Sequence, residues 1–549
     1  MRTVIIGGVA GGMSTATRLR RLDSTMEIIV IERSGHVSYA NCGLPYYVGG
    51  VIENEEDLLL QTPQSLHERF RLDVRVESEV TQIDADQKVL NIRNLATGTA
   101  YELSYDKLVL SPGASPIIPP IPGIERALPL RTVEDVTHMS LAVSEKPRNV
   151  VVIGGGFIGI EISENLRHRG ISTTLIEAGS QVLAPLDPEM ATLVLEELVR
   201  HGVEVRLNAG VTEVTADEVI LSTGDRITAD LVVVAIGVRP DVALAKAAGV
   251  DAGPRGGIPV NTFNQTSNPD IYAIGDAAEK TDALDGSSTL VPLANIANRQ
   301  GRVVADHIAG RPIRDVATIG TAIVKVFDLT IATTGWNEKR LVASGRSYAS
   351  VHGHPGSHAG YYPGATKMAL KLIFDPTTGE ILGAQGVGRD GVDKRIDVLA
   401  TAIRGGILAP ELADLELAYA PPFGSAKDPV NMLGYMAENV ISGLCSPIQW
   451  SAVALFREQG YDVLDVRSNA EFEAGHIPGS VNIPLDQLRE RMGEIQNRKL
   501  IVTCQVGQRG HTATLLLTEQ GFDAKNLDGG FETWRNSPAN PQLERAFAH

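Results

Sequence analysis

The amino-acid sequence predicts an α/β protein of several domains, built around two Rossmann-like βαβ units. Residues 3–32 read as strand, Gly-rich turn, helix and strand, and residues 149–177 repeat that order. A third α/β pattern occupies the last part of the chain, from residue 445 onward. Because 549 residues are too many for one hydrophobic core, these patterns predict separate domains within one polypeptide.

The composition excludes several classes of protein. A formal net charge of −17 argues against a general nucleic-acid or anionic-lipid surface, since polyphosphates would be repelled. The three cysteines, Cys42, Cys445 and Cys504, are far apart and odd in number, so neither a disulfide framework nor a metal centre is expected. The chain opens on a strand, and no apolar run is long enough to span a bilayer. We therefore expect a soluble, cytoplasmic protein without a membrane or nucleic-acid partner.

The first βαβ unit carries an imperfect nucleotide-binding fingerprint. Its turn, residues 7–12, lets backbone N–H groups and a helix N-terminus face a pyrophosphate, and Glu32 can accept a hydrogen bond from a ribose hydroxyl. Val9 stands where the middle glycine of GxGxxG belongs, so a tight packing turn is the alternative. The candidate nucleotide-binding residues here are Gly7, Gly8, Ala10, Gly11, Gly12, Glu32 and Arg33.

The second βαβ unit carries the full fingerprint. Gly154, Gly156 and Gly159 have the GxGxxG spacing, and Glu177 closes the second strand. Because Glu177 has no arginine beside it, it would repel a 2′-phosphate, which favours NADH over NADPH as the ligand. Gly237, at the end of a later strand, is a further candidate for this site.

A motif near residue 276 distinguishes the two nucleotides. Residues 268–279, NPDIYAIGDAAE, form a short apolar strand that ends in a carboxylate, which suits a polyol hydroxyl. This motif resembles the ribityl-binding motif of the two-dinucleotide-binding flavoproteins, and LVLSPGAS and LVVVAIGVRPD resemble their crossings between domains. The resemblance implies FAD at the first unit, with Asp276 and Ala277, and NAD at the second. It implies an FAD-binding domain at 1–115 and 240–314, an NAD-binding domain at 116–239 and a dimerisation domain at 315–444.

The segment HVSYANCGLPYY, residues 36–47, contains one cysteine soon after the first βαβ unit. Glutathione-reductase-like enzymes carry two cysteines separated by four residues, but no second cysteine lies near Cys42. Cys42 must therefore react alone, through a mixed disulfide, a persulfide or a sulfenic acid, with reduced flavin as the source of electrons.

Cys504 lies where a strand ends and a Gly-containing loop opens a helix. Such a nest of backbone N–H groups lowers the pKa of a thiol and stabilises an anionic persulfide. The loop to Arg509 is one residue shorter than the C-x5-R cradle that fits a phosphate, which favours a sulfur substrate. LDVRSNAEFEAGHIPGSVNIP, this loop and LDGGFETW resemble the rhodanese family.

The rhodanese resemblance covers residues 445–549 and implies sulfane-sulfur transfer through a Cys504 persulfide. The implied loop residues are Gln505, Gly507, Arg509 and Gly510. Asp465 and Arg467 are implied to support the fold or the loop. The alternative is an inactive rhodanese fold that serves as a binding module.

Taken together, the motifs resemble coenzyme A disulfide reductases, and with the rhodanese tail the NADH-dependent persulfide or polysulfide reductases. The resemblance rests on YANCGLPYY, the variant turn, the Tyr361 region and YAPPFGSAKDPVN. It implies that Cys42 is the nucleophile and that Ser38 and Asn41 position the thiol and the substrate. It further implies a homodimer in which Tyr361 and Tyr419 enter the partner subunit's site.

A basic helix face provides a separate argument for coenzyme A. Ser14, Arg18 and Arg21 have i, i+4, i+7 spacing and so share one face of the first helix, where two guanidiniums could pair with phosphates. Arg69 and Arg71 are weaker candidates for the same role. The alternative is an ordinary solvated helix face.

The predicted activity is reduction of persulfides, polysulfides or coenzyme A disulfide by NADH, through FAD and one cysteine. Two alternatives remain open. An NADH oxidase or peroxidase also uses one cysteine beside flavin, as a sulfenic acid, although the peroxidases have a histidine in the turn where this chain has Ala10. A sulfur-carrier or redox-sensing protein would bind nucleotide without turnover.

Overall fold

A computed structural model describes residues 1–314 and 316–542 of the chain. They form two compact units: the first comprises Met1–Ala178, Gly202–Glu204 and the described residues of Asn208–Thr318, and the second comprises Gly179–His201, Val205–Leu207 and the described residues from Ile319 on. Asp315, where the dimerisation domain was predicted to begin, and residues 543–549 at the predicted end of the rhodanese domain lie outside these ranges. None of the helices in the described ranges has the length and apolar character needed to cross a bilayer.

The strands follow one another in chain order through both units. They are β1 (Arg2–Ile6), β2 (Glu27–Ile31), β3 (Asp73–Arg75), β4 (Ser78–Asp84), β5 (Val89–Asn94), β6 (Ala100–Ser104), β7 (Lys107–Leu110), β8 (Ala114–Pro116), β9 (Leu128–Pro129), β10 (Asn149–Ile153), β11 (Ser172–Ile176), β12 (Val203–Arg206), β13 (Val211–Val214), β14 (Glu218–Leu221), β15 (Arg226–Thr228), β16 (Leu231–Val234), β17 (Val238–Pro240), β18 (Ile271–Ala273), β19 (Lys280–Thr281), β20 (Ser288–Thr289), β21 (Ala322–Val326), β22 (Leu329–Gly335), β23 (Ala349–Gly353), β24 (Met368–Phe374), β25 (Ile381–Gly388), β26 (Asp462–Asp465), β27 (Val481–Asn482), β28 (Lys499–Thr503) and β29 (Asp523–Asn526).

The helices alternate with these strands. They are α1 (Ala10–Leu22), α2 (Leu44–Gly49), α3 (Pro63–Phe70), α4 (Val133–Ser144), α5 (Phe157–His168), α6 (Pro188–Arg200), α7 (Ala243–Ala247), α8 (Ala294–Ile308), α9 (Glu338–Ser344), α10 (Val392–Gly405), α11 (Pro429–Ile441), α12 (Val453–Glu458), α13 (Asn469–Glu473), α14 (Leu488–Arg491), α15 (Gln508–Glu519) and α16 (Gly530–Arg535). Short 3-10 turns occur at Asn41–Gly43, Glu55–Leu58, Ile124–Arg126, Gly275–Ala277, Pro410–Asp414, Trp450–Ala452, Leu485–Gln487 and Met492–Glu494.

The first unit contains two parallel sheets, one for each predicted βαβ unit. The first sheet has the order β18-β7-β1-β2-β3, and the second has the order β12-β11-β10-β16-β9. The apolar runs in β1 and β10 are buried because helices cover parallel sheets on both faces. Helix α1 packs against α8 on the first sheet. The carboxyl ends of β1, β7 and β18 therefore lie side by side, which gathers their loops at one edge.

The two strand junctions that were predicted to be domain crossings lie beside each other. Residues Ala114–Pro116 of β8 pair antiparallel with Val238–Pro240 of β17. Two small antiparallel sheets, β4-β5-β6 and β13-β14-β15, accompany the parallel sheets. The paired crossings link the two nucleotide-binding folds through a two-stranded ribbon.

The second unit contains an antiparallel sheet and a parallel sheet. The antiparallel sheet has the order β21-β22-β25-β24-β23, and all residues of β24 and β25 are buried. Helices α6 and α10 pack on this sheet, and α11 packs against β23. The C-terminal sheet has the order β27-β26-β28-β29 and is parallel. Helix α6, whose sequence position is between the two strands β11 and β12, thus belongs to the second unit.

A network of buried charges crosses the second unit, centred on Lys371, whose side chain is fully buried. Its ammonium pairs with Asp187 at 2.9 Å, Glu189 at 2.5 Å and Glu338 at 2.9 Å. Burial alone would raise the pKa of Glu189, but Lys371 and His352 together lower it. These charges tie α6 to the antiparallel sheet, since removing one partner would leave a buried charge uncompensated.

His352 on β23 extends this network to the C-terminal sheet. Its Nδ1 donates to Asp528 at 2.6 Å and its Nε2 to Glu189 at 3.0 Å. Burial opposes the charged imidazole, but Asp528 and Glu189 raise the pKa of His352 to about 9. The Gln449 amide donates to the Ser350 carbonyl at 2.8 Å and to Asp528 at 3.2 Å. The C-terminal sheet is therefore docked on the antiparallel sheet through a protonated histidine.

Candidate active site

One cavity of about 870 Å³ lies at the carboxyl edge of the first parallel sheet. The Gly-rich turn, the segment around Cys42 and the turn at Gly275–Ala277 all contribute to its wall. Of the residues predicted for cofactor and substrate, the lining contains Gly7, Ala10, Gly11, Ser14, Arg21, Glu32, Arg33, Ser38, Asn41, Cys42, Arg69 and Asp276. The structure thus brings the predicted flavin and thiol residues of the first unit into one space.

The first Gly-rich turn has the shape that a pyrophosphate requires. Gly7 has φ +101°, and a Cβ on it would collide with the Ser111 carbonyl. A Cβ on Gly12 would collide with the Gly7 carbonyl, so this glycine allows α1 to approach β1 closely. Glu32 accepts hydrogen bonds from the backbone N–H of Gly8 at 2.7 Å and of Ser34 at 2.8 Å. Its burial raises the pKa of the Glu32 carboxyl. Glycine at these positions and a buried carboxylate at the strand end fit a dinucleotide.

In the second Gly-rich turn, each of three glycines meets a different structural requirement. Gly154 has φ +110° and lies against the Ala235 carbonyl, and a Cβ on Gly159 would collide with the Gly154 carbonyl. No atom lies within 4 Å of the Cβ position of Gly156, so a ligand can approach the backbone there. Glu177 accepts a hydrogen bond from the backbone N–H of Gly155 at 2.7 Å. Gly237 has φ +117°, in the left-handed region.

Cys42 lies on the 3-10 turn Asn41–Gly43, directly before α2, and is exposed to the cavity. The surrounding protein nevertheless removes water from the thiol, and this burial raises the pKa of Cys42. The carboxylates of Glu161 and Asp276 raise that pKa further, whereas the guanidinium of Arg131 lowers it. The reactivity of Cys42 therefore depends on a balance of three charged side chains.

Ser38 ties the cysteine segment to the Gly-rich turn. Its backbone has φ +52°, an uncommon conformation for a residue other than glycine. Its N–H donates to the Gly8 carbonyl at 2.8 Å, and its carbonyl accepts from the N–H of Leu60 at 3.1 Å. These bonds hold the strained backbone in place, and they fix the start of the segment that carries Cys42.

Arg131 is a further site residue, and no sequence motif indicates it. It stands between β9 and the N-cap of α4, and its guanidinium pairs with Asp276 at 2.8 Å. In the orientation that satisfies both ends of the Asn41 amide, its nitrogen donates to the Arg131 carbonyl at 3.0 Å and its oxygen accepts from the guanidinium at 3.2 Å. The signal in the sequence was its position in a loop at the end of a strand, which is weak by itself.

The residues predicted for coenzyme A divide into two groups. Ser14 donates to Asn298 at 2.8 Å at the cavity wall, and Arg21 stacks over the Phe70 ring at 5.4 Å. Arg18 is engaged elsewhere, because its guanidinium makes two hydrogen bonds to Asp306 on α8 at 2.7 and 3.0 Å. Arg69 belongs to the cavity lining, whereas Arg18 and Arg71 do not. Arg71 is the C-cap of α3.

Tyr361 and Tyr419 form an exposed aromatic pair in the second unit. Their hydroxyls lie 3.0 Å apart, and the two residues are 77% and 48% exposed. Phe423, which is 71% exposed, lies in the same loop as Tyr419. Exposed aromatic side chains in Pro-rich loops are typical of surfaces that another protein covers.

Cys504 is completely buried in the loop before α15. The neighbouring Arg467 is also buried, and it pairs with Asp465 at 2.7 Å. Arg467 also donates to the Gln505 side chain at 3.1 Å and to the Gly475 carbonyl at 2.7 Å. These hydrogen bonds of Arg467 stabilise the Cys504 loop.

The rest of the Cys504 loop has a defined backbone. Gly507 has φ +89° as the N-cap of α15, and a Cβ on Gly510 would lie against Asn526. Arg509 makes a bidentate pair with Glu471, at 2.6 and 2.9 Å, and this contact raises the pKa of Arg509. By contrast, burial raises the pKa of Cys445 to about 11, so that thiol is unreactive near neutral pH.

Three segments of the chain match known protein families. Residues 1–301 match the model of the pyridine nucleotide-disulphide oxidoreductases, and residues 321–429 match the dimerisation domain of the same enzymes. Residues 451–537 match the rhodanese-like domain. The predicted α/β class and the rhodanese fold of the C-terminal domain are therefore confirmed.

Individual relatives extend over most of the chain. A coenzyme A disulfide reductase of Staphylococcus epidermidis is 34% identical over 439 residues, which cover 80% of this chain and 100% of that protein. The crystal structure of reduced Bacillus anthracis CoADR-RHD has 49% identity and a TM-score of 0.96, over 97% of this chain and 98% of that one. A NAD-dependent persulfide reductase from A. fulgidus has 38% identity and a TM-score of 0.92, over 97% and 100% of the two chains.

Proposed function

We propose the function of this chain from the premise that it belongs to the pyridine nucleotide-disulphide oxidoreductase family, as a relative of the coenzyme A disulfide reductases. It is a flavin-dependent reductase that uses NADH to reduce persulfides, polysulfides or coenzyme A disulfide through Cys42. Its rhodanese domain handles sulfane sulfur. The observation that carries this proposal is the single thiol of Cys42 in the cavity that also holds the Gly-rich turn and Asp276.

The geometry of the two turns supports the proposed cofactor residues. FAD fits the first turn: the backbone N–H groups before α1 would hold its pyrophosphate, and Glu32 and Asp276 would accept hydrogen bonds from ribose and ribityl hydroxyls. NADH fits the second turn at Gly156, and the carboxylate of Glu177 disfavours the 2′-phosphate of NADPH. FAD, when bound, passes electrons from NADH to sulfur.

The role of Cys42 is nucleophilic attack on a sulfur–sulfur bond. Its thiolate attacks one sulfur of the S–S bond, that bond breaks, and a thiolate leaves and takes up a proton. Cys42 then holds the attacked sulfur as a mixed disulfide, when the substrate is a disulfide, or as a persulfide, when the outer sulfur of a persulfide is attacked. Two electrons and a proton then free the Cys42 thiolate and release hydrogen sulfide or a second thiol. For a persulfide, NADH and one proton are consumed with RSSH, and the products are NAD+, RSH and hydrogen sulfide.

The proposal includes a homodimer with shared sites. The match to the dimerisation domain supports a dimer. The exposed pair Tyr361 and Tyr419 supports their entry into the partner subunit's site, where a phenol can donate a proton to a departing thiolate. Coenzyme A is bound through Ser14, Arg21 and Arg69 at the cavity wall. The proposal places this chemistry in the cytoplasm, where reduced thiols such as its three free cysteines persist.

An NADH oxidase or peroxidase is the nearest competing activity. It would use Cys42 as a sulfenic acid, which fits an exposed thiol. Ala10 at the start of α1 leaves the turn without the histidine of the peroxidases. A carrier or sensor that binds nucleotide without turnover is the second competitor, and it would stop after one equivalent of NADH.

A substrate panel tests the proposal. Steady-state NADH oxidation by the FAD-loaded protein is measured with coenzyme A persulfide, coenzyme A disulfide, polysulfide and hydrogen peroxide. We expect many turnovers with at least one sulfur substrate and slow turnover with peroxide. Fast peroxide reduction with negligible sulfur turnover would establish the oxidase or peroxidase instead, and a single equivalent of NADH consumed would establish the carrier.

Cys504→Ser separates the two thiols of the proposal. We expect this variant to lose transfer of sulfane sulfur from thiosulfate to cyanide, because the loop around Gln505 and Arg467 then has no nucleophile. It should keep NADH-driven reduction of coenzyme A persulfide supplied directly. Cys445→Ser is the control, since the Cys445 thiol is buried and its pKa is raised. Loss of both activities in Cys504→Ser would contradict the proposed division of labour.

A further inference from the structure

We propose that Arg131 is the cation that favours the thiolate form of Cys42, with its guanidinium positioned by Asn41 and Asp276. This inference rests on the proposed function, in which Cys42 is the nucleophile. Arg131 then acts on the thiol through its charge and is a positioning residue for the reaction, not a group that reacts itself.

The geometry fixes Arg131 at both ends. Its backbone N–H donates to Asp135 in the capping box of α4 at 2.9 Å, which anchors the start of the side chain. At the other end the guanidinium pairs with Asp276 at 2.8 Å and contacts the Asn41 amide at 3.2 Å. Asn41 is the chain neighbour of Cys42 on one short turn, and Arg131 and Cys42 line the same cavity. This clamp therefore fixes the guanidinium relative to the segment that carries the thiol.

The other charged groups around Cys42 act in the opposite direction. Glu161 approaches from α5, and Asp276 approaches from the turn Gly275–Ala277. Tyr46 on α2 interacts with Glu161, and burial raises the pKa of Tyr46 to about 12, so its hydroxyl is neutral. Within residues 1–314 and 316–542, Arg131 is the cation found to favour the charged form of Cys42. Without it, two carboxylates would oppose the thiolate.

The guanidinium of Arg131 suits the role of stabilising the Cys42 thiolate because its charge is permanent. A guanidinium stays charged across the working pH range of an enzyme, whereas a carboxyl can take up a proton. Burial and the neighbouring Glu164 raise the pKa of Glu161 to about 7. Protonation of Glu161 removes a charge that opposes the thiolate, whereas Arg131 stays charged and favours it.

The test measures the ionisation of Cys42 without turnover. The rate of iodoacetamide alkylation at Cys42 is followed by peptide mass spectrometry across pH 5 to 10, in the FAD-loaded and the FAD-free proteins. An attacking thiol reacts as its thiolate, so the inflection of the rate reports its pKa. In Arg131→Gln we expect the inflection to rise by about one pH unit, and the rate at neutral pH to fall about tenfold.

Matched variants separate charge from structure. Arg131→Lys keeps the charge and should restore most of the alkylation rate, and Glu161→Gln should lower the inflection. Arg126→Gln, which removes an exposed arginine five positions upstream, should leave the inflection unchanged. If Arg131→Gln fails to retain FAD, the FAD-free variant is compared with the FAD-free intact protein.

One result would overturn the inference. Suppose that Glu161→Gln moves the pH inflection of the alkylation rate and Arg131→Gln does not. The pKa of Cys42 would then respond to a neighbouring charge, but not to that of Arg131. Sulfur turnover would remain intact in that case, so the proposed function would stand. Conversely, the intact protein could show no sulfur turnover while Arg131→Gln still raises the alkylation inflection. That result would reject the proposed function but not the role of Arg131.

Discussion

Cys42→Ser is expected to abolish NADH-driven reduction of persulfide and coenzyme A disulfide, with a loss of roughly 10³-fold or more. A serine hydroxyl in the same position remains neutral near pH 7, so neither Arg131 nor the turn can convert it into a nucleophile. Since Cys42 is exposed on a 3-10 turn and fills no core space, the fold and the FAD content should be unchanged. Steady-state NADH oxidation and the flavin absorbance of the purified variant provide the two measurements.

A control variant identifies the source of any residual activity. Cys445→Ser removes a buried thiol far from the cavity in sequence, and we expect it to retain full sulfur turnover. Should Cys42→Ser still oxidise NADH with persulfide at the normal rate, the nucleophile would have to lie elsewhere. The assignment of Cys42 would then be wrong.

The second large effect concerns the buried histidine of the second unit. Asp528 and Glu189 raise the pKa of His352 from 6.5 to about 9 in the folded protein. A group whose pKa is raised on folding stabilises the fold fully below its unfolded pKa and loses that contribution as the pH rises through the folded value. We therefore expect stability on the order of 3 kcal/mol to be lost between about pH 6.5 and pH 9.5, at 1.36 kcal/mol per pH unit.

Thermal unfolding at several pH values measures this contribution. His352→Gln should lower the melting temperature at pH 6.5, because it leaves Asp528 buried without its cation, at a cost of about 3–5 kcal/mol. The stability of the variant should also change much less between pH 6.5 and 9.5 than that of the intact protein. His476→Gln, at an exposed histidine, is the control and should behave as the intact protein. A pH dependence that survives in His352→Gln would place the titrating group elsewhere.

The parts of the site that depend on local sequence could be predicted. The spacing of Gly154, Gly156 and Gly159 implies a turn with three different demands, and each glycine meets one of them in the structure. The lone Cys42 and the loop after Cys504 could also be identified, because a cysteine without a nearby partner and a Gly-containing loop at a strand end are local features of the sequence. Such signals lie within one turn and its flanking strands.

The parts that depend on contacts between distant segments could not be predicted. The helical period predicts one shared face of α1 for Arg18 and Arg21, but it could not show that Asp306, 288 positions later, binds Arg18. Arg131 acquires its role from Asn41 and Asp276, which no spacing rule connects to it. Side-chain partners of this kind are set by tertiary packing, which a single sequence does not reveal.

The buried charges around Lys371 and His352 bear on how this chain could be shortened. A protein truncated before residue 445 would keep Lys371, Glu189 and His352 but would lose Asp528 and the indole of Trp450, which donates to Glu189 at 3.2 Å. The surface exposed by the truncation would then carry Glu189 and His352 without these hydrogen-bond partners. A reductase without its rhodanese domain would therefore need replacement side chains at this surface.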